Sequence, residues 1–100
     1  MIKQFQTGDT ILVVITHQTY SFSTDTWADA DPDANFPKIT INKPDGTMVV
    51  NSVTMDTIAT GKFQYPYEIS LSDLGWWTGF IIVENNGYTD KEYFGFTVKV

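Results

Sequence analysis

Hydrophobic residues recur at every second position along most of the chain, and no stretch of useful length carries them at helical spacing. The clearest alternation is Lys62 to Ser70, where Phe63, Tyr65, Tyr67 and Ile69 fall on one face and Gln64, Glu68 and Ser70 on the other. Pro66 lies on the polar face and has no N–H to give a neighbour, so it predicts a sheet edge at that point. Phe36 to Lys43 points Ile39 and Ile41 inward against Lys38, Thr40 and Asn42. Lys43-Pro44-Asp45-Gly46 follows with Pro at i+1 and Gly at i+3 of a turn, so Thr47 to Met55 returns as the second arm of a hairpin. Thr10 to His17 holds the run ILVVIT, rich in β-branched residues, which predicts a central strand buried on both sides. Thr16, Gln18, Tyr20 and Phe22 continue it in alternation. Ile2 to Phe5 reads as a short edge strand, Gly8-Asp9 as the turn after it, and Leu71 to Gly75 as one turn at a corner.

The longest prediction is a hairpin over Trp76 to Val100, closed by Asn86-Gly87, the pair that most readily takes the two left-handed residues of a type I′ turn. A two-residue turn fixes the register. Gly79 then opposes Phe94 and Trp77 opposes Phe96, with Trp77, Gly79, Ile81 and Val83 sharing a face with Phe94, Phe96 and Val98. The same register puts Asp90 and Glu92 on that apolar face. A bulge near Glu92-Tyr93, or an open end where the carboxylates meet water, would resolve the conflict.

About seven short strands with turns roughly every ten residues predict an all-β fold, a single antiparallel β-sandwich filling residues 1–100. From about Gly8 to Val100 the chain resembles the immunoglobulin-like modules of prokaryotic surface proteins and tailed-phage virion proteins. The stretches that carry the resemblance are GDT, KITINKPDGT, TGKFQYPYEI, LSDLGWWTGFIIV and YFGFTVKV. It implies a structural, adhesive or spacer role and transfers no functional residues. Trp76-Trp77 stand where such sandwiches often carry a tyrosine past the corner.

Composition narrows the chemistry. Cysteine and arginine are absent, so disulfides, thiolate metal sites and a cysteine nucleophile are excluded. Twelve carboxylates against six lysines give a formal charge of -6, which repels phosphate backbones and argues against nucleic-acid binding. The opening MIKQFQTGDT lacks the apolar core of a signal peptide, and the longest apolar run, Ile11 to Ile15, is too short to span a bilayer. No membrane insertion is therefore expected, and the resemblance implies a soluble protein of a virion or cell surface with protein subunits of a larger assembly as partners.

The acidic stretch Ser23 to Asn35, STDTWADADPDAN, reads as a loop. Asp25, Asp29, Asp31, Asp33 and Asn35 are the candidate metal ligands, because Ca2+ takes six or more oxygens and an Asp-x-Asp-x-Asp spacing supplies several from one loop. It is not an EF-hand: counted from Asp29, position 6 is Ala34 and position 12 is Thr40. The alternative is a solvated acidic loop that aids solubility. No cofactor is required by either reading. Trp27, Phe36 and Trp76 are the candidate contacts for a partner or a glycan, on which sugar rings would stack; the alternative places them at the core rim.

Nothing points to catalysis. His17 is the one histidine and falls at the end of an apolar strand, and no G-x-S-x-G, phosphate-cradling glycine loop or Asn-x-Ser/Thr acceptor occurs. The expected function is a non-catalytic structural or interaction module, most simply a multi-copy component of a virion surface. An adhesive or carbohydrate-binding domain, with or without Ca2+, is the alternative.

Overall fold

The computed structural model describes residues 4–6, 8–69 and 74–99. Strands β1 (Gln4–Gln6), β10 (Tyr88–Lys99), β9 (Gly75–Asn85), β5 (Lys38–Asn42) and β6 (Met48–Thr54) form one sheet in that spatial order. A second sheet has the order β2 (Thr10–Thr16), β8 (Lys62–Glu68), β7 (Asp56–Ala59). Among the described residues β3 (Gln18–Ser21) and β4 (Thr26–Asp29) pair only with each other. Every pairing is antiparallel except that of β1 with β10.

The long hairpin has the register its turn dictates. Asn86 and Gly87 take φ of 52° and 82°, the left-handed pair of a type I′ turn. Gly79 faces Phe94 and Trp77 faces Phe96, and the ladder runs unbroken from Tyr88↔Asn85 to Val98↔Gly75. No bulge forms near Glu92; instead Asp90 and Glu92 stand exposed, so the carboxylates keep their hydration. The middle hairpin also forms as predicted. Gly46 N–H donates to the Lys43 carbonyl at 2.9 Å, and Thr47 N–H donates to the Asp45 carboxylate at 2.8 Å. That backbone donor, with the Thr47 hydroxyl and nearby Lys43, holds the Asp45 carboxyl below its ordinary pKa.

The buried faces of the two larger sheets share one core. Trp77, Ile39, Ile41 and Val98 from the five-stranded sheet meet Ile11, Phe63 and Ile69 from the other side. Tyr67 reaches across to Trp77 at 6.1 Å between ring centroids, and Trp77 stacks on Phe96 at 5.7 Å. Burying each such side chain stabilises the fold by about 1.5–3 kcal/mol.

Three expectations need correction. Among the described residues the strands number ten in three sheets, against about seven in one sandwich. The surplus comes from β3, read as a continuation of the first long strand but paired instead with β4, from β4 itself, whose residues were read as a loop, and from β7, whose DTIA carries no alternation of burial. The run ILVVIT is not central: among the described residues β2 pairs with β8 alone, and its Leu12 and Val14 are 55% and 56% exposed. A β-branched run reports strand-forming power, and only the neighbours decide how many faces are covered. The strand buried on both faces is β5, where Ile39 and Ile41 face the core and Thr40, on the opposite face, is also buried and accepts from Ser52 N–H at 3.1 Å. Pro66 is an edge position as expected, because β7 pairs β8 only as far as Gln64. Of the predicted first strand, Ile2 and Lys3 lie outside the described residues, as do Ser72 and Asp73 of the predicted corner turn.

Candidate functional site

The acidic segment sits where two hairpin turns meet at one end of the molecule. β7 and β8 join through Gly61, at φ 71°, and β9 and β10 through Asn86-Gly87. Turn amides point away from their own ladders and need acceptors. The chain between β4 and β5 supplies them. Asp31 Oδ1 accepts from Gly61 N–H at 2.9 Å. Asp33 accepts from Asn86 N–H at 3.0 Å and Gly87 N–H at 3.3 Å, while its own N–H donates to the Glu84 carbonyl at 2.8 Å. Charge-assisted bonds of this kind are the stronger class, so two carboxylates tie two turns to the acidic segment.

His17 completes the junction. Its N–H donates to the Gly61 carbonyl at 2.7 Å, and its Nδ1 lies 2.8 Å from the Ala30 carbonyl. A carbonyl only accepts, so Nδ1 carries the proton and the imidazole is tied down as a strut between β2 and the acidic segment.

The remaining predicted ligands face other partners. Asp25, at φ 53° on the β3–β4 tip, accepts from the Tyr20 hydroxyl. Asp29 accepts from Gln18 Nε2 at 2.9 Å and lies 3.9 Å from Lys62 Nζ. Asn35, at φ 71°, offers its backbone carbonyl to the Thr54 hydroxyl at 3.0 Å. Five oxygen-bearing side chains that the sequence puts in one stretch are thus spread over a hairpin tip, a hairpin stem and two turns. Among the described residues no group of three or more His, Cys, Asp or Glu is gathered to hold a metal ion.

The predicted aromatic contacts are likewise separated. Trp27, 67% exposed, stacks on its cross-strand partner Tyr20 at 5.2 Å, and Phe22 extends the cluster at the hairpin tip. Phe36 is half-buried with the Lys38 ammonium 4.9 Å over its ring. Trp76, 54% exposed, lies across Gly95 at the far end of β9 from Asn86, roughly 33 Å away at about 3.3 Å per residue. These three rings do not make one platform.

The sequence singles out Trp76 but neither its neighbours on the sheet face nor a groove beside it. On the outer face of the five-stranded sheet, Trp76, Phe80 and Tyr93 form an aromatic strip, with Lys91 Nζ 4.2 Å from the Phe80 ring centroid and 5.5 Å from that of Tyr93. The groove runs between β2 and β10, where the two large sheets are left open. Its two lobes, about 490 and 590 Å3, share Ile15, Ile81 and Glu92. Phe94 and Phe96 line one lobe, and Trp27, Val83 and Asp90 the other. The one signal for the groove in the sequence was the placement of Asp90 and Glu92 on an apolar face; reading β2 as a central strand concealed the rest.

Among the described residues no helix is long and apolar enough to cross a membrane. Comparison with protein-family models, with curated proteins and with solved structures returned no match for this chain.

Proposed function

We propose that the chain is an immunoglobulin-like β-sandwich that acts as a non-catalytic structural and interaction module, present in many copies in a larger assembly such as a virion surface. The strand order supports the fold reading. Variable-type immunoglobulin sheets place strands G, F, C and C′ side by side and pack them on B, E and D. Here β10, β9, β5 and β6 stand in the first order and β2, β8 and β7 in the second, with β3–β4 inserted between the B and C positions.

The observation that carries the interaction role is the aromatic strip. Trp76 and Tyr93, 54% and 70% exposed, lie on one sheet face beside half-buried Phe80. Large aromatics clustered in the open are the side chains that dominate protein–protein contacts. Light scattering over a concentration series, and assay of purified particles for the chain, test the reading. Wild type is expected to associate or to copurify with particles, and a Trp76→Ala, Tyr93→Ala variant to keep its thermal unfolding profile while losing both. A monomer at all concentrations that is absent from particles overturns it.

A second reading, an adhesive or carbohydrate-binding domain, is favoured by one observation: Trp27 stacked on Tyr20 at an exposed hairpin tip offers a ring face of the kind sugars stack on. A glycan array with wild type and Trp27→Ala tests it, and a blank array sinks it. Its Ca2+-dependent form requires heat on titration with Ca2+ that an Asp29→Ala, Asp31→Ala variant abolishes.

A further inference from the structure

We infer that the groove between β2 and β10 is a docking site for an extended, basic peptide segment of a partner protein, which adds as a strand to the free edge of β10. The inference rests on the interaction-module reading and assigns it a second surface, which adjoins the aromatic strip where Trp76 and Tyr93 line one lobe and differs from it by its carboxylates.

The edge itself is the first observation. β1 opposes only Thr97, Val98 and Lys99, and the rest of β10 pairs with β9 alone among the described residues. Among the described residues Tyr88 to Tyr93 therefore present free N–H and C=O groups to any chain that lies alongside, and β2, paired with β8 on one side, shows a second free edge across the groove. Such a pair of edges accepts an extended segment by main-chain hydrogen bonding, with side-chain pockets at alternate positions giving selectivity.

The groove states what those alternate side chains must be. Along the inner face of β10 the order is Phe96, Phe94, Glu92, Asp90. Ile15, Ile81 and Val83 floor the groove beside them, and Trp27 walls the end near Asp90. An added strand lies about 4.8 Å away with its own alternate residues on the same face. Opposite Phe94 it meets apolar surface. Opposite Glu92 and Asp90 it meets two carboxylates that stand over aliphatic side chains, with no ion pair among the described residues. A lysine or arginine satisfies both demands at once: its stem covers Ile81 and Val83, its cation meets the carboxylate, and near Trp27 it meets a ring face. The formal charge of -6 favours approach of a basic partner. A second copy of this chain fits poorly, because antiparallel pairing of β10 with itself would set Asp90 and Glu92 against their own equivalents.

The probe is a fluorescein-labelled peptide, Val-Thr-Val-Thr-Lys-Thr-Lys, with a control in which both lysines are glutamate. Fluorescence anisotropy on the full chain is expected to give saturable binding of the lysine peptide that weakens as salt is raised. An Asp90→Lys, Glu92→Lys variant, folded by circular dichroism, should bind it at least about tenfold more weakly and prefer the glutamate peptide, since both cross-strand pairs change from attraction to repulsion. Amide exchange should slow at alternate residues between Tyr88 and Tyr93. Absence of saturable binding, equal binding of the two peptides, or protection confined to the Trp76 face overturns the inference. Particle association that survives in the Asp90→Lys, Glu92→Lys variant alongside a failed peptide titration removes the groove alone and leaves the module reading standing.

Discussion

Replacing Gly79 by alanine tests the packing logic of the long hairpin most directly. A Cβ at Gly79 would overlap the ring of Phe94, coming 2.9 Å from its Cε1, and would stand 2.6 Å from the Thr40 carbonyl oxygen. Phe94 is held between Phe96 and the groove, and the Thr40 carbonyl belongs to β5, the strand covered on both faces. Neither neighbour yields cheaply. Overpacking of this kind costs about 1–3 kcal/mol, and contact on two sides argues for the upper half of that range. The loss of glycine's freedom in the unfolded chain offsets about 0.4–1 kcal/mol. The net expectation is a loss of about 2 kcal/mol, a fall in Tm of roughly 8–16 °C for a domain of this size. Gly95→Ala is the internal control. Its Cβ would also overlap an indole, but the neighbour is Trp76, 54% exposed and free to swing into solvent, so a shift of less than about 4 °C is expected. Thermal unfolding by circular dichroism measures both. The reasoning is refuted if Gly79→Ala proves no less stable than Gly95→Ala, or if adding Phe94→Ala to Gly79→Ala restores the stability of Phe94→Ala itself, since the Thr40 carbonyl would then impose nothing.

Other expectations follow from the junction of turns. Gly61→Ala puts a Cβ 2.6 Å from the His17 carbonyl oxygen and 2.8 Å from the Ala30 nitrogen at a left-handed φ of 71°, all backbone, so a loss of about 3 kcal/mol is expected in urea unfolding. Asp33→Ala frees the Asn86 and Gly87 amides; about 1–2 kcal/mol should be lost, and exchange at those two amides should accelerate while amides in β8 stay protected. The Asp45 carboxyl, lowered by the Thr47 N–H, contributes stability that is present above its ordinary value of 3.8 and lost as pH falls through its lower folded value. Wild type should therefore be the more stable of the pair with Asp45→Asn at neutral pH and lose that advantage below pH 3.8, as paired acid-unfolding curves would record.

What the sequence determined by itself was the local geometry. Asn86-Gly87 can close only a tight turn of one hand, and a two-residue turn leaves one register, so the pairing of Gly79 with Phe94 and of Trp77 with Phe96 was legible from spacing. The Lys43 to Gly46 turn and the alternation of Phe63, Tyr65, Tyr67 and Ile69 followed from steric and period-2 rules of the same short range. Asp90 and Glu92 were likewise placed on the right face, although their exposure depends on the missing strand beside β10. The tertiary structure alone decided which strands stand at the centre and which at an edge. ILVVIT and KITIN are both strong strand formers, and only sheet order left Leu12 in water and covered Thr40. It also decided the fate of the acidic segment: neighbours in sequence, Asp31 and Asp33 answer to turns 30 and more than 50 residues away. Spacing along a chain reports how many oxygens a loop carries. The donors they meet are fixed by long-range packing, as is the groove that β2 and β10 leave open.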